Sequence, residues 1–232
     1  MTRIISVLFD MDGVLFDSEL IHAHSWRQVL AGHGLEVDTP WFQPWVGVAD
    51  THLARHLHEE RGIGESADAL LTQKRAAFKQ MVQTDLVAPP GLTSALSRLT
   101  AALGPGRLAV VTSSYRTTAE HMLRCTGIDS FFATVVCADD VTAHKPDPEP
   151  YRTAAARLGV EPQCCIVVED SAPGIASGRA AGCRVLSIHS PHSPLAAPDP
   201  VSPAEQPGAR FERTVDAIDW VVGEVAGAAG TS

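Results

Sequence analysis

Five short apolar runs constrain this chain most: Ile4–Phe9, Leu108–Val111, Thr134–Cys137, Ile166–Val168 and Val185–Ile188. They are rich in β-branched residues and continuous rather than alternating. A strand that is apolar at every position must be covered on both faces, as in a parallel sheet sandwiched between helices. Segments of helical period separate the runs. Thr117–Cys125 and Tyr151–Leu158 are followed by Gly127 and Gly159, and Pro173–Ala181 stops at Gly182, glycines that suit positions just past a helix end. The alternation predicts an α/β fold, a doubly wound, Rossmann-like parallel sheet.

One stretch breaks the alternation. Between the first and second runs lies a segment with no convincing strand, reading as helices near Glu19–Ala31, Thr51–Glu60 and Ala67–Gln83 and closed by Pro89-Pro90-Gly91. The simplest account is an all-helical insertion, residues 18–89, in a core made of 1–17 and 90–232. The 232 residues suffice for a core plus an insertion, since chains of this size bury roughly 70–75% of their extended surface. Ser190–Gln206, rich in Pro, Ser and Ala, reads as a surface loop, and Thr214–Val225 as a final helix.

Charge and composition narrow the function. Eighteen basic residues against 27 acidic give −9, which argues against a nucleic-acid footprint. No apolar run approaches the ~20 residues of a membrane span. The start, MTRIISVLFD, enters a strand-like segment containing an acid rather than a signal sequence, and a cytoplasmic protein is expected. Five cysteines (Cys125, Cys137, Cys164, Cys165, Cys183) without paired metal spacing read as reduced thiols, most of them in apolar surroundings.

Open parallel sheets bind ligands beyond the carboxyl ends of their strands. Asp10 and Asp12 follow the first run, and Thr112, Ser113 and Ser114 the second. Lys145 comes some residues after the third; Glu169 and Asp170 follow the fourth. Lys145 is one of three lysines in a chain with fifteen arginines. Four carboxylates on one rim call for a hard cation, and oxygen ligands of this kind select Mg²⁺. The chemistry such a rim suits is phosphoryl transfer. A carboxylate attacking a phosphate dianion meets repulsion of ~4 kcal/mol per charge pair at about 4 Å and an effective dielectric near 20. A divalent ion and an ammonium offset that repulsion. Two acids at Asp-x-Asp spacing can serve one reacting centre as nucleophile and proton carrier.

Taken together, DMDGVLFDSE (10–19), VVTSS (110–114), KPDPEPY (145–151) and VVEDSAPGIASGRAAG (167–182) resemble the four motifs of haloacid dehalogenase superfamily phosphohydrolases with a helical cap. The likeness is to the branch of phosphoglycolate phosphatases, sugar-phosphate phosphatases and β-phosphoglucomutases. The resemblance implies an Asp10 aspartyl-phosphate and Asp12 as general acid and base. Thr112, the Ser113 amide and Lys145 would bind the phosphoryl group. Asp10, the Asp12 carbonyl and Asp170 would bind Mg²⁺, with Glu169 a further ligand or a partner of the ligands. Asp12 favours phosphate chemistry over dehalogenation. The expected substrate is a small phosphorylated metabolite, a sugar or polyol phosphate, handled by a monomer or weak dimer.

Plainer structural readings stand beside these. Thr112–Ser114 alone fits a helix N-cap, and Glu169/Asp170 could serve the start of the helix at Pro173. His22 and Trp26, one turn apart with Val29 and Leu30 on the same face, read as packing of the first inserted helix or as cap residues turned to substrate. Gly47 is either a turn glycine or the glycine of a specificity loop. His52 and His56 are spaced i, i+4, but with no HExxH pattern a solvated face is expected rather than a zinc site. A β-phosphoglucomutase-type mutase would use the same core residues. However, GVADTHL lacks the arginine that such mutases carry after their GVS, unless Arg55 replaces it. A phosphate-accepting receiver module fits less well, being about half this length with its acceptor aspartate on a middle strand.

Overall fold

The computed structural model describes residues 4–45, 48, 50–189 and 210–229. Six strands form one sheet: β1 (Ser6–Phe9), β2 (Leu108–Val111), β3 (Thr134–Val136), β4 (Cys165–Glu169), β5 (Arg184–Ile188) and β6 (Arg210–Phe211). Their order across the sheet is β3-β2-β1-β4-β5-β6, and every pairing is parallel. β1, β2 and β4 are buried at every residue, as their uninterrupted apolar sequence requires. The chain builds outward from β1 to β3 on one side, then crosses to β4 on the other. The carboxyl end of β1 is therefore the place where strand order reverses, the crevice in which such sheets bind ligands.

Strand ends differ from the sequence reading by one or two residues. The first begins at Ser6, not Ile4. The third stops at Val136, because the Cys137 amide turns to the Asp140 carboxylate at 2.8 Å. The fourth extends to Glu169, which is its last residue rather than a residue beyond it. β6 was not expected at all. The loop expected over Ser190–Gln206 lies outside the described residues.

The helices are α1 (Glu19–Gly32), α2 (Asp50–Glu59), α3 (Ala67–Asp85), α4 (Leu92–Leu103), α5 (Arg116–Cys125), α6 (Glu149–Arg157), α7 (Ala172–Ala181) and α8 (Thr214–Ala229). α7 shows how local sequence sets these limits. The Ser171 hydroxyl accepts the Gly174 N–H at 3.1 Å at its start, and Gly182 closes it at φ +93°. The sequence reading missed α4. It lies between Gly91 and Gly104, both at positive φ, and buries Leu92, Ala95, Leu96 and Leu99.

The chain divides into two compact units. Among the described residues, one holds the sheet and takes those up to Asp17 and from Val87 onward; the other takes those within Ser18–Leu86. Described residues of the second unit are all helix and loop, a short 3-10 helix at Thr39–Trp45 included. Its own core joins Trp26, Leu30, Phe42, Leu57 and Leu70.

Candidate active site

The site of interest is built at the carboxyl ends of β1, β2 and β4. Asp10 follows β1, its amide donating to the Val168 carbonyl at 2.9 Å, so the sheet ladder itself sets its position. The chain then turns through Met11–Phe16, whose Met11, Leu15 and Phe16 are buried. Gly13 makes the turn possible in two ways. Its φ is +77°, and a Cβ on it would fall on the Asp170 carboxylate. The Thr214 hydroxyl ties the far side of the turn by donating to the Val14 carbonyl at 2.5 Å.

Lys145 reaches this point from the loop between β3 and α6. The loop is fastened by Glu149, whose carboxylate accepts the Thr142 and Ala143 amides at 2.9 and 2.8 Å, and by Ser177, which donates to the Asp147 carbonyl at 2.5 Å. The ammonium donates to Asp10 Oδ1 at 2.5 Å, Glu169 Oε1 at 2.7 Å and the Val111 carbonyl at 3.0 Å. All three ammonium hydrogens thus have partners, one at each of the three central strand ends.

Glu169 is the hub. It is fully buried, and both of its oxygens are engaged. Oε1 accepts from Lys145 and from the Tyr151 hydroxyl at 3.0 Å. Oε2 accepts from the Asp170 amide, the Ser171 amide and the Ser171 hydroxyl at 2.9, 2.9 and 3.0 Å. Gly174 makes room for it, since a Cβ there would overlap this carboxylate. Carboxylate oxygens of Asp10, Glu169 and Asp170 lie within 4.8 Å of one another, the one such group among the described residues.

On the opposite flank, Asp12 Oδ2 accepts from Ser114 Oγ at 3.3 Å and Thr112 Oγ1 at 3.5 Å. Thr112 Oγ1 also accepts the Ser114 amide at 3.0 Å, and the Thr112 amide donates to Val136. Ser113 is exposed.

Charge is unbalanced here. Burial drives the Asp10 carboxyl up to about 8; Lys145 opposes the shift, and Glu169 and Asp12 add to it. Asp170 is pushed well above the carboxylate range by burial, then by the charges of Asp10 and Glu169. For Lys145 burial is outweighed by Asp10 and Glu169, and its ammonium is held more firmly than usual. One ammonium among four carboxylates leaves excess negative charge, and without a cation the cluster keeps a proton instead. Clustered, desolvated carboxylate oxygens are the donor set a hard divalent cation takes.

The structure therefore brings together Asp10, Asp12, Thr112, Lys145, Glu169 and Asp170, with Ser113 between Thr112 and Ser114. His22 and Trp26 belong to the other unit and enter a different cluster. Trp26 is buried and its Nε1 donates to Asp50 Oδ1 at 2.8 Å; Lys74 Nζ lies 2.6 Å from both Asp50 Oδ2 and His22 Nδ1. The His22 ring lies 4.3 Å from that of Phe78. His52 is exposed and His56 rests 5.0 Å from the Trp45 ring and 3.1 Å from Glu60. Neither belongs to a candidate metal group among the described residues. Gly47 lies outside the described residues.

Sequence reasoning missed Tyr151, Ser171, Gly13 and Gly174 as parts of the site, and Asp50 and Lys74 in the helical cluster. The first four stand inside the quoted motifs, where small or hydroxyl residues beside an acid were the available signal.

Comparison with known proteins bears on the same residues. A profile described as haloacid dehalogenase-like hydrolase matches residues 7–188. The fructose-1-phosphate phosphatase YqaB of Escherichia coli is 33% identical over 186 residues, covering 80% of this chain and 97% of that protein. Hexitol phosphatase A of Escherichia coli is 34% identical over 185 residues, covering 79% and 82%. A crystal structure described as a putative β-phosphoglucomutase from Thermotoga maritima superposes with a TM-score of 0.80 at 27% identity, covering 97% of this chain and all of that one. With all four motifs gathered at the strand ends and these similarities along most of its length, the chain belongs to the haloacid dehalogenase-like hydrolase family and is an enzyme of its phosphatase class.

Proposed function

We propose that this chain is a Mg²⁺-dependent phosphatase that removes the phosphoryl group of a sugar or polyol phosphate through an aspartyl-phosphate on Asp10. The single observation that carries the reading is Lys145, held between Asp10 and Glu169 at the strand-order reversal with Asp170 alongside. The named activities of the relatives support the substrate class.

In this reading an Asp10 oxygen bonds to phosphorus as the phosphate–ester bond breaks, and Asp12 gives its proton to the departing alkoxide. Water then attacks the phosphorus, Asp12 takes the water's proton, and the Asp10 carboxylate leaves. On substrate binding Thr112 and Lys145 exchange a present partner, Asp12 and the Val111 carbonyl respectively, for a phosphoryl oxygen, the Ser113 amide adds a third donor, and Ser114 Oγ keeps Asp12 aimed. Asp10, the Asp12 main-chain carbonyl and Asp170 would hold Mg²⁺, which when bound would supply charge neutralisation for the incoming dianion. Glu169 acts by position: with five hydrogen bonds on two oxygens it fixes Lys145 and the Asp170–Ser171 backbone rather than offering a lone pair.

The mutase alternative requires the inserted unit to grip a second phosphate. Position 50, where those mutases carry arginine, holds Asp50, and it is paired with the buried Lys74. That pairing favours a substrate with one phosphate. The test is phosphate release from fructose 1-phosphate and hexitol phosphates by the purified chain, with Mg²⁺ and with EDTA. Release that needs Mg²⁺ and vanishes in Asp10→Asn with the fold intact supports the proposal; retained turnover removes Asp10 as nucleophile. Glucose 6-phosphate formed from β-glucose 1-phosphate and a bisphosphate primer would reinstate the mutase.

A further inference from the structure

The five cysteines are all free thiols, and two of them stand side by side. β4 and β5 run parallel with Ile166 opposite Arg184, so the neighbour of Cys165, one step earlier, is Cys183. Adjacent strands lie about 4.8 Å apart, inside the 4.4–6.8 Å window of Cα separations that a disulfide spans. Residues in register also share a face of the sheet. Both thiols lie in one buried apolar cluster with Val167 and Val185, and they interact with each other.

Their environments differ. Cys165 is fully buried, its Sγ 3.6 Å from the Glu161 carbonyl oxygen. Cys183 is 8% exposed. The hydrogen bond with Cys165 lowers its thiol pKa, burial opposes this, and the nearby Arg152 guanidinium lowers it further. For Cys165 the same hydrogen bond, followed by burial, raises the pKa. A thiol at the edge of the interior beside a guanidinium, backed by a second thiol on the neighbouring strand, is the arrangement that oxidation turns into a disulfide.

We propose that Cys183 and Cys165 form a hydroperoxide-responsive dithiol, Cys183 attacking and Cys165 resolving. The Cys183 sulfur attacks a peroxide oxygen, the O–O bond breaks, and one water leaves with Cys183 as a sulfenic acid. The Cys165 sulfur then attacks the Cys183 sulfur, the S–O bond breaks, and a second water carries off the hydroxyl and the Cys165 proton. Two thiols and one H₂O₂ give one disulfide and two waters. The bond closes the segment Cys165–Cys183, which contains Glu169, Asp170, Ser171 and the whole of α7. It ties strands already in register and restricts the unfolded chain, so the oxidised protein is the more thermostable form.

The test exposes the purified full chain to H₂O₂, blocks remaining thiols with N-ethylmaleimide and maps tryptic peptides by fragmentation mass spectrometry, which tells Cys164 from Cys165 within the peptide they share. Cleavage after Arg179 separates the two cysteines, so a bridge joins two peptides and removes the mass of two hydrogens. The expected result is that Cys165–Cys183 link, reversed by dithiothreitol, together with a raised Tm. Cys165→Ser should leave a Cys183 sulfenic acid that dimedone traps. Cys183→Ala, which keeps the packing apolar, should give neither product. Both thiols remaining alkylatable at peroxide doses that oxidise the exposed Cys125, or a link from Cys183 to Cys164 instead, overturns the proposal.

Discussion

Each unit of this chain buries one lysine side chain, and the two sit in opposite electrostatic situations. Lys145, 7% exposed, faces Asp10 and Glu169 with Asp170 and Asp12 close by. Lys74, 2% exposed, is paired with Asp50, whose other oxygen accepts the Trp26 N–H, and lies against His22 and the Phe78 ring. Lys74 donating to His22 Nδ1 requires that nitrogen to be an acceptor, which leaves His22 Nε2 carrying the hydrogen. The second cluster sets its ammonium directly against the Asp50 carboxylate. The first carries several more negative charges than its lysine neutralises, in a place water reaches poorly. A balanced buried pair fixes structure, whereas an unbalanced one stores affinity for a cation and an anionic group together.

The same substitution at both lysines tests that contrast. Lys145→Met should cut turnover on the order of 10²–10³-fold, the usual cost of deleting one donor to transition-state charge. Lys74→Met should lower unfolding free energy by about 1–3 kcal/mol, because Asp50 loses a charged partner while its partial exposure lets water replace some of it. Phosphate release from a small generic ester such as p-nitrophenyl phosphate, read beside urea unfolding, separates the effects. A Lys74 variant as inactive on that ester as the Lys145 variant would erase the distinction.

Gly174→Ala probes the crowded side of the contrast with a smaller expected effect. The added methyl meets the Glu169 carboxylate, which must shift and loosen its hold on Lys145 and Ser171. Overpacking of this kind costs about 1–3 kcal/mol, and turnover should fall with it. Wild-type turnover in the alanine variant would mean that the position of Glu169 does not govern Lys145.

The two regions also differ in how far sequence exposes them. The strands around β1 are legible because burial on both faces demands uninterrupted apolar residues, and the rim acids follow from strand ends alone. α4 was missed although it carries a signal: Leu92, Leu96 and Leu99 are spaced for one helical face between two glycines. β6 has no such signal, because two residues, one of them an exposed arginine, carry no period. It exists through backbone pairing of Ser187 with Arg210 and Ile188 with Phe211. Glu169 reads as a rim acid, yet its burial depends on Tyr151, eighteen residues earlier, and on a missing methyl at Gly174. The Lys74 cluster is less visible still. It joins α1, the start of α2 and α3 through side chains up to 52 residues apart, so no local spacing announces it.

The smallest expected effect is a pH dependence in that hidden cluster. Burial acts to raise the Asp50 pKa, but the Lys74 charge and the hydrogen bonds from Lys74 and Trp26 outweigh it and hold the carboxyl below its ordinary value. An unfolded aspartate titrates near 3.9, so between the lowered folded value and that point the unfolded chain binds more protons. Stability from Asp50 is therefore fully present above the unfolded value and is lost as pH falls through the folded one. With its side chain 34% exposed, the contribution is screened to about 1 kcal/mol or less. Other carboxylates titrate in the same range, so the informative quantity is the difference between wild type and Asp50→Asn in urea unfolding. That difference should be constant above about pH 5 and shrink below about pH 4. Parallel curves down to the lowest pH would mean that Lys74 does not discriminate between the two protonation states of Asp50. The cluster would then be held by its aromatic packing rather than by charge.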